Sequence, residues 1–154
     1  MANVFDVARY IIEQYYSSEK VTIELTAMKL QKLVYYSQSW TLAWDEKPLF
    51  DEEFEAWANG PVCRELYDRH KGLFVIKESS LMESGNSSNL TKEQKQNIDI
   101  VLGAYGNKAP QWLSDLTHQE FPWRNARGNT PVGEPSQNII TKESMQQFYS
   151  GLGA

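Results

Sequence analysis

Histidine and cysteine, the side chains that most often hold transition metals, are scarce in this chain of 154 residues. It has two histidines, His70 and His118, and a single cysteine, Cys63. A structural zinc site needs about four such ligands, and one cysteine cannot form an intrachain disulfide. The motifs G-x-G-x-x-G, P-loop and G-x-S-x-G are missing as well, so the common nucleotide and acyl-transfer sites are not indicated. We therefore expect no metal and no cofactor.

Long apolar runs and an excess of positive charge are also lacking. No stretch approaches the roughly 18 apolar residues that cross a bilayer. With 15 basic and 20 acidic residues the net charge is −5, which does not favour a polyanionic partner such as nucleic acid. The first residues have neither the cationic segment nor the small-residue cleavage site of a signal peptide. We expect one domain over residues 1–154, located in the cytoplasm, with neither a membrane nor a nucleic acid as its partner.

Helical periodicity is the main feature that the sequence does contain. Apolar residues recur every three or four positions after Asn3 and again after Thr91, where Gln94 completes a capping box. Thr26 is a candidate N-cap for a long helix over residues 27–44, which is apolar around much of its circumference and is therefore predicted to be central. Thr141 begins a last short helix with four apolar residues predicted to point inward: Met145, Phe148, Tyr149 and Leu152. These patterns predict a mainly α fold, compact around a central amphipathic helix.

A small β element is predicted in the middle of the chain. Residues 54–58 alternate between apolar and polar positions, as in a half-buried strand. Proline suits the first turn of a helix, so Pro61 is predicted to begin one, with Gly60 or Asn59 as its cap. The Gly-Pro pair would then turn the strand into a helix, and Trp57 would anchor that turn. Further along, a helix with Pro110 in its first turn is predicted to stop before Pro122, and residues 79–92 and 124–138 are interpreted as loops.

His118 is the best candidate for a catalytic side chain. Glu120 lies two positions later and could orient a histidine base, but two residues so spaced on a helix face different directions. No nucleophile accompanies the pair. We therefore interpret His118 as a group that holds a helix end through hydrogen bonds, and a small enzyme using His118 is the lesser alternative.

Two lysines of the predicted central helix, Lys29 and Lys32, are accompanied by several aromatic residues. Basic and aromatic residues together can bind single-stranded nucleic acid, but two lysines are few and the acidic run at 45–55 would repel a polyanion. We interpret both as lysines whose stems pack on the core while their ammonium groups reach solvent. The acidic run is either a solvated loop or a docking surface for a basic partner, and composition does not decide between them.

Two separated segments carry a family resemblance. The stretch "TAMKLQKLVYYSQSWTLAWDEKPLFDEEFEAWANGPVCRELY" resembles the signature of the Panacea domain found in SocA-like and GepA-like phage-associated proteins, and "LSDLTHQEFPWRNAR" resembles the second motif of that family. The specific matches of the first segment are Thr26, Lys29, Leu30, Lys32, Leu33, Tyr35, Tyr36, Pro48, Leu49, Phe50, Ala56, Trp57, Gly60, Pro61 and Val62. Those of the second are Leu113, Thr117, His118, Pro122 and Trp123.

The resemblance implies a bacterial antitoxin that is not an enzyme and that neutralises a cognate toxin by direct binding. Such toxins are encoded beside the antitoxin and include alarmone-synthetase-like enzymes that stop translation; a homo- or hetero-oligomer is compatible with this role. An alternative is an adaptor that delivers the bound toxin to a cellular protease, with the C-terminal "GLGA" as a candidate tag. The candidate partner-binding residues are Lys29, Lys32, Tyr36, Trp57, Gly60, Pro61, Arg64, His118, Trp123 and Arg124. Of these we expect Lys29, Lys32, Arg64 and Arg124 to be exposed and therefore the better candidates.

Overall fold

The computed structural model describes residues 2–17, 23–79 and 85–153. Within these residues the chain forms seven α-helices and two small antiparallel sheets, so the predicted mainly α fold with a small β element is confirmed. The helices are α1 Val4–Ser17, α2 Ala27–Asp45, α3 Arg64–His70, α4 Lys92–Tyr105, α5 Pro110–Gln119, α6 Phe121–Arg127 and α7 Lys142–Leu152. The strands are β1 Leu25–Thr26, β2 Phe54–Trp57, β3 Gly60–Cys63, β4 Val75–Ile76 and β5 Ile139–Ile140.

Helix α2 is the centre of the fold, as its pattern predicts. The Thr26 side chain accepts a hydrogen bond from the Lys29 backbone N–H and so caps the helix, which satisfies one of the donors that a helix start leaves unpaired. Helices α1, α4, α5 and α7 and strand β3 all pack against α2. The helix ends at Asp45 because Glu46 adopts a left-handed backbone conformation, φ 57°, and its N–H closes on the Leu42 carbonyl.

The other capped helices also begin where the sequence indicates. α1 follows Asn3, α4 has the predicted capping box between Thr91 and Gln94, and α7 follows Thr141. One of the four residues predicted to point inward from the last helix does not do so: Leu152, at the end of α7, is 57% exposed. The predicted loop at 79–92 includes residues 80–84, which lie outside the described residues, and ends in a 3₁₀ turn at Ser87–Asn89.

The helix predicted to begin at Pro61 is wrong. Residues 60–63 form strand β3, which pairs with β2 as a hairpin in the register Trp57 with Gly60 and Phe54 with Cys63. A proline is tolerated there because β3 is at an edge of the sheet, where its missing N–H breaks no ladder. The Gly-Pro pair therefore begins the second strand of a hairpin, and α3 starts three residues after Pro61, at Arg64.

The loop predicted from residue 124 is also wrong at its start. α5 does stop before Pro122, but Pro122 lies in the first turn of a further helix, α6, which extends to Arg127. Proline has no N–H to lose in a first turn, so the same residue that excludes the continuation of α5 suits the beginning of α6. β5 then pairs with β2 on the side opposite β3, which gives the sheet order β3-β2-β5.

Candidate functional site

A cavity of about 500 Å³ lies between the first half of α2, the β2–β3 hairpin and α3. Its size is typical of sites for small molecules. Seventeen residues line it, and they come from five segments: Ala27, Met28, Gln31 and Lys32; Trp57, Ala58, Asn59 and Val62; Arg64, Tyr67 and His70; Lys71, Gly72 and Leu73; and Pro135, Ser136 and Gln137. The cavity thus brings together parts of the chain that are more than a hundred residues apart.

Lys32 lies in the wall of this cavity and is almost fully buried, with 1% of its surface exposed. Its Nζ donates a hydrogen bond to the Pro61 carbonyl at 3.3 Å. Burial lowers the pKa of Lys32 from its ordinary value of 10.5 to about 7, because removal from water penalises the charged form. The predicted exposure of this lysine is therefore wrong, and its contact with a partner protein stays a prediction.

Lys29 is buried as well, with 5% of its surface exposed, so its predicted exposure is also wrong. Its ammonium group lies 5.0 Å from the centre of the Tyr15 ring and 3.5 Å from the Tyr15 hydroxyl oxygen. Burial lowers its pKa too. Lys29 is directed at α1 and does not line the cavity, so the two neighbouring lysines of α2 serve different places in the fold.

Gln31 joins α2 to the hairpin and to α3. Its side-chain amide donates to the Cys63 carbonyl at 3.1 Å, while its carbonyl oxygen accepts from the Cys63 N–H at 2.9 Å. Its amide nitrogen also lies 3.0 Å from Nε2 of His70, which is buried. Because the amide nitrogen can only donate, His70 accepts at Nε2. Burial lowers the pKa of His70, which keeps this ring neutral at pH 7.

The mouth of the cavity carries a cluster of three residues, Trp57, Arg64 and Tyr67, which we call the aromatic cluster. The rings of Trp57 and Tyr67 are 4.8 Å apart, and the Arg64 guanidinium lies 5.3 Å from the Trp57 ring. Glu55 holds the cluster in place by accepting two hydrogen bonds from Arg64, both of 3.1 Å, and one from Trp57 Nε1 at 2.8 Å. The Arg64 side chain is 40% exposed and the residue as a whole is half-buried, so its predicted exposure holds in part.

Gly60 and Pro61 lie directly against Lys32. Gly60 has φ +121°, and a Cβ at this position would be 2.5 Å from Lys32 Cε and 2.9 Å from Thr117 Oγ1. Distances this short do not occur for real Cβ atoms, so the hairpin can approach α2 and α5 only with glycine here. The specific role of the Gly-Pro pair is therefore close packing around the buried lysine.

His118 and Trp123 support the hairpin from the side of α5 and α6. Their rings stack with centres 4.1 Å apart, and Trp123 Nε1 donates to the Trp57 carbonyl at 2.9 Å. Within the described residues, Nε2 of His118 is buried without a hydrogen-bond partner. Burial lowers the pKa of His118, against the opposing effect of Asp115 and a backbone hydrogen bond at Ala58. Arg124, at the outer face of α6, is exposed as predicted.

Tyr36 belongs to a different cluster. It lies one helical turn after Lys32 on α2 and does not line the cavity. Tyr36 and Tyr149 each donate a hydrogen bond of 2.7 Å to Oε1 of Glu120. Glu120 is 7% exposed, and burial raises its pKa, while the two hydroxyl donors oppose the rise. Glu120 is therefore engaged with tyrosines and not with His118.

Arg127 is the structural residue that the sequence interpretation missed. It is 4% exposed and donates to the backbone carbonyls of Ala56, Pro131 and Glu134 at 2.7–3.0 Å. Its guanidinium also lies 4.9 Å from the Trp123 ring. The segment around Arg127 has the composition of a loop and shows no helical periodicity. Its burial could have been predicted only if helix α6 had been recognised.

The acidic run at 45–55 has several partners inside the molecule. Glu53 pairs with Lys142 at 2.7 Å, Glu55 binds Arg64, and Glu52 accepts from the Val4 N–H at 3.3 Å. These contacts tie the run to α7, α3 and α1. They favour a structural interpretation over a surface kept free for a basic partner.

Two further observations bear on the kind of site. Over residues 2–17, 23–79 and 85–153, no group of three or more His, Cys, Asp or Glu side chains is placed to hold a metal ion. No described helix has the length and apolar character needed to cross a membrane.

Comparison with known proteins gives one match. The family model described as antitoxin SocA-like, Panacea domain, matches residues 30–124, a segment that runs from the first turn of α2 to the middle of α6. No curated protein and no solved structure matches the chain.

Proposed function

Because this chain belongs to the antitoxin SocA-like family with a Panacea domain, we propose that it neutralises a cognate toxin by direct, stoichiometric binding. The family match confirms the resemblance found in the sequence and carries an antitoxin role in general. It covers residues 30–124 and so includes Lys32, the hairpin and the aromatic cluster. The toxin is expected to be encoded next to this chain.

The aromatic cluster is the surface that supports this proposal best. Tryptophan, tyrosine and arginine are the residues that most often contribute large shares of binding energy at protein interfaces. Here the Trp57 ring meets the Tyr67 ring edge to face, and the Arg64 guanidinium lies over the Trp57 ring. Hydrogen bonds to Glu55 fix Trp57 and Arg64 before any partner arrives, which lowers the entropy lost on binding. Two exposed apolar residues lie nearby. Leu73, which lines the cavity, is 46% exposed, and the next residue, Phe74, is 79% exposed. Together they form a partly apolar surface that a toxin can cover.

Co-expression with the neighbouring toxin tests the proposal directly. We expect this chain to restore growth and to co-purify with the toxin in a fixed molar ratio. Arg64→Ala should raise the Kd for the toxin by about tenfold or more, with little change in melting temperature because the side chain is partly solvated. Isothermal titration measures the affinity. Normal growth inhibition together with no detectable complex would contradict direct binding.

Arg69→Ala is a matched control for Arg64→Ala. It removes the same kind of side chain from the same helix, but its guanidinium lies over Phe5, at 5.4 Å, and not over Trp57. We expect its affinity for the toxin to stay within about twofold of the wild type. Trp123→Ala serves a different purpose, since Trp123 is 6% exposed and truncation of a buried aromatic residue should lower the melting temperature.

The role of His118 separates a binder from an enzyme. Under our proposal, His118→Gln keeps a polar side chain of similar reach, so toxin neutralisation at matched stoichiometric concentrations should be largely preserved. A general base would instead lose roughly 10²–10⁴-fold in rate. Titration of toxin with this chain gives the measurement, because a binder stops acting at a fixed molar ratio. Complete protection by a small sub-stoichiometric amount, lost in His118→Gln, would contradict the proposal.

A further inference from the structure

The cavity next to the hairpin has a buried ammonium group in its wall, and this combination points to a ligand. Lys32 lines the cavity, is 1% exposed, and its Nζ has one hydrogen bond to the described residues, to the Pro61 carbonyl. An ammonium group has three N–H donors, so donors remain for a ligand. We propose that this cavity binds a carboxylate on an aromatic body, with the carboxylate held by Lys32.

The polar neighbours of Lys32 are already engaged with one another. Gln31 uses both ends of its amide on Cys63 and also bonds His70, and Arg64 at the mouth is held by two hydrogen bonds to Glu55. A buried positive charge costs free energy unless a negative charge or several acceptors offset the loss of water. No carboxylate of the described residues forms an ion pair with Lys32. A ligand carboxylate would supply that missing partner.

The walls of the cavity determine the rest of the ligand. Trp57 and Tyr67 present ring surfaces, and Met28, Val62 and Leu73 add apolar side chains. About 500 Å³ accommodates a molecule with one or two rings. A phosphate is a poorer fit than a carboxylate, because phosphate sites use several convergent donors such as a run of backbone N–H groups or arginines. A single ammonium group in an apolar cavity matches a compact monoanion.

The charge of Lys32 should make binding depend on pH. Burial lowers the pKa of Lys32 to about 7, so the charged form declines above that pH, while an arylcarboxylate stays ionised. The titratable groups that face Lys32 are His70 of α3 and His118 of α5, and burial lowers the pKa of each imidazole, which favours the neutral form of both. β3 contributes the Gly60 backbone and the Pro61 carbonyl. The Arg64 charge at the mouth does not change in this range.

Isothermal titration of the purified chain with 2-naphthoate tests the proposal, with 2-naphthamide as the neutral analogue. We expect 2-naphthoate to bind at pH 6.5 with a Kd at least tenfold lower than that of the amide. Between pH 6.5 and 8.5 the Kd of the acid should rise by about 20-fold as Lys32 loses its proton. Lys32→Met should raise the Kd at pH 6.5 more than tenfold. Lys29→Met, which removes the neighbouring buried lysine outside the cavity, should leave it within about twofold.

A second readout uses the unaltered protein. The carbon next to the Lys32 amine can be followed by NMR as pH changes. Bound 2-naphthoate should raise the pKa of Lys32 by about two units, the shift that a 20-fold change in Kd requires, since the carboxylate stabilises the ammonium charge. N-acetylphenylalanine distinguishes the source of the carboxylate, because it resembles the end of a peptide chain. Tighter binding of this compound indicates a partner's C-terminus, and tighter binding of 2-naphthoate indicates a free metabolite.

The proposal is wrong if acid and amide bind equally, or if the acid binds Lys32→Met as well as the wild type. It is also wrong if 2-naphthoate leaves the pKa of Lys32 unchanged. None of these results depends on a toxin. Failure to neutralise a toxin would therefore contradict the proposed function, whereas the ligand site is tested independently by the binding measurements.

Discussion

Lys32→Met should stabilise the protein, raising the free energy of unfolding at pH 7 by about 2–4 kcal/mol. The reason is the pKa of Lys32, which falls from 10.5 in an exposed lysine to about 7 in the fold. Each pKa unit corresponds to about 1.4 kcal/mol, and the loss of the hydrogen bond to the Pro61 carbonyl offsets about 1 kcal/mol of the gain. Methionine has a similar length and no charge, so it can occupy the same space.

The pH dependence of stability provides the check on this expectation. The folded pKa of Lys32 lies below the unfolded one, so from about pH 7 upward the unfolded chain binds the extra proton. Stability should therefore rise with pH, by up to about 1.4 kcal/mol per unit. The rise ends near pH 9, where Cys63 acts in the opposite sense, because burial raises its pKa from 9.0 to about 12.

Urea unfolding at several pH values measures both effects. The wild type should show a rising stability between about pH 7 and pH 9, and Lys32→Met should show a much flatter profile over the same range. Equal slopes in the two proteins, or a Lys32→Met variant less stable than the wild type at pH 7, would show that burial of the Lys32 ammonium group does not lower the free energy of unfolding.

Gly60→Ala is expected to have the opposite effect and to be among the most destabilising single changes available. A Cβ would lie 2.5 Å from Lys32 Cε and 2.9 Å from Thr117 Oγ1, on a backbone with φ +121°. Backbone strain of this kind costs about 1–3 kcal/mol and overpacking a similar amount. Their sum, roughly 2–6 kcal/mol, is a large part of the 5–15 kcal/mol that stabilises a typical domain.

A double-mutant cycle separates the two causes. Lys32→Ala removes the nearer of the two crowding side chains, so in that background Gly60→Ala should cost about 1–3 kcal/mol less. The remaining cost reports the strained backbone and the contact with Thr117. Gly103→Ala is the matched control, since no atom lies within 4 Å of its Cβ position in α4, and alanine should stabilise that helix slightly. Additive effects of Gly60→Ala and Lys32→Ala would contradict the packing described.

The sequence predicts most helices and their starting points, because caps and periodicity are local signals. Thr26, Thr91 and Thr141 each cap a helix through a side chain only three residues from its donor. Pro61 was wrongly predicted to begin a helix, because its place in a strand depends on that strand lying at an edge, which a local pattern does not show. The end of α5 before Pro122 was predicted correctly, but the following helix α6, which has Pro122 in its first turn, was not predicted.

The sequence predicted only part of the candidate site. Of the ten candidate residues, Lys32, Trp57 and Arg64 line the cavity, and the two lysines of α2 were expected to be exposed and are buried. Charge alone suggests exposure for lysine, and the sequence of α2 does not reveal that the hairpin closes over Lys32. Such burial is a tertiary effect, because the covering residues lie about thirty positions away along the chain.

The hydrogen bond between Tyr35 and Tyr149 joins residues 114 positions apart, and this separation sets the order of events during synthesis. A ribosome adding about 5–20 residues per second would add Tyr149 roughly 6–23 s after Tyr35. Throughout that interval the aromatic side chains of α2 have no α7 to cover them, and the third strand of the sheet does not exist. The nascent chain therefore has an incomplete core until its last quarter has emerged from the ribosome. Folded molecules consequently appear later than the chains from which they form.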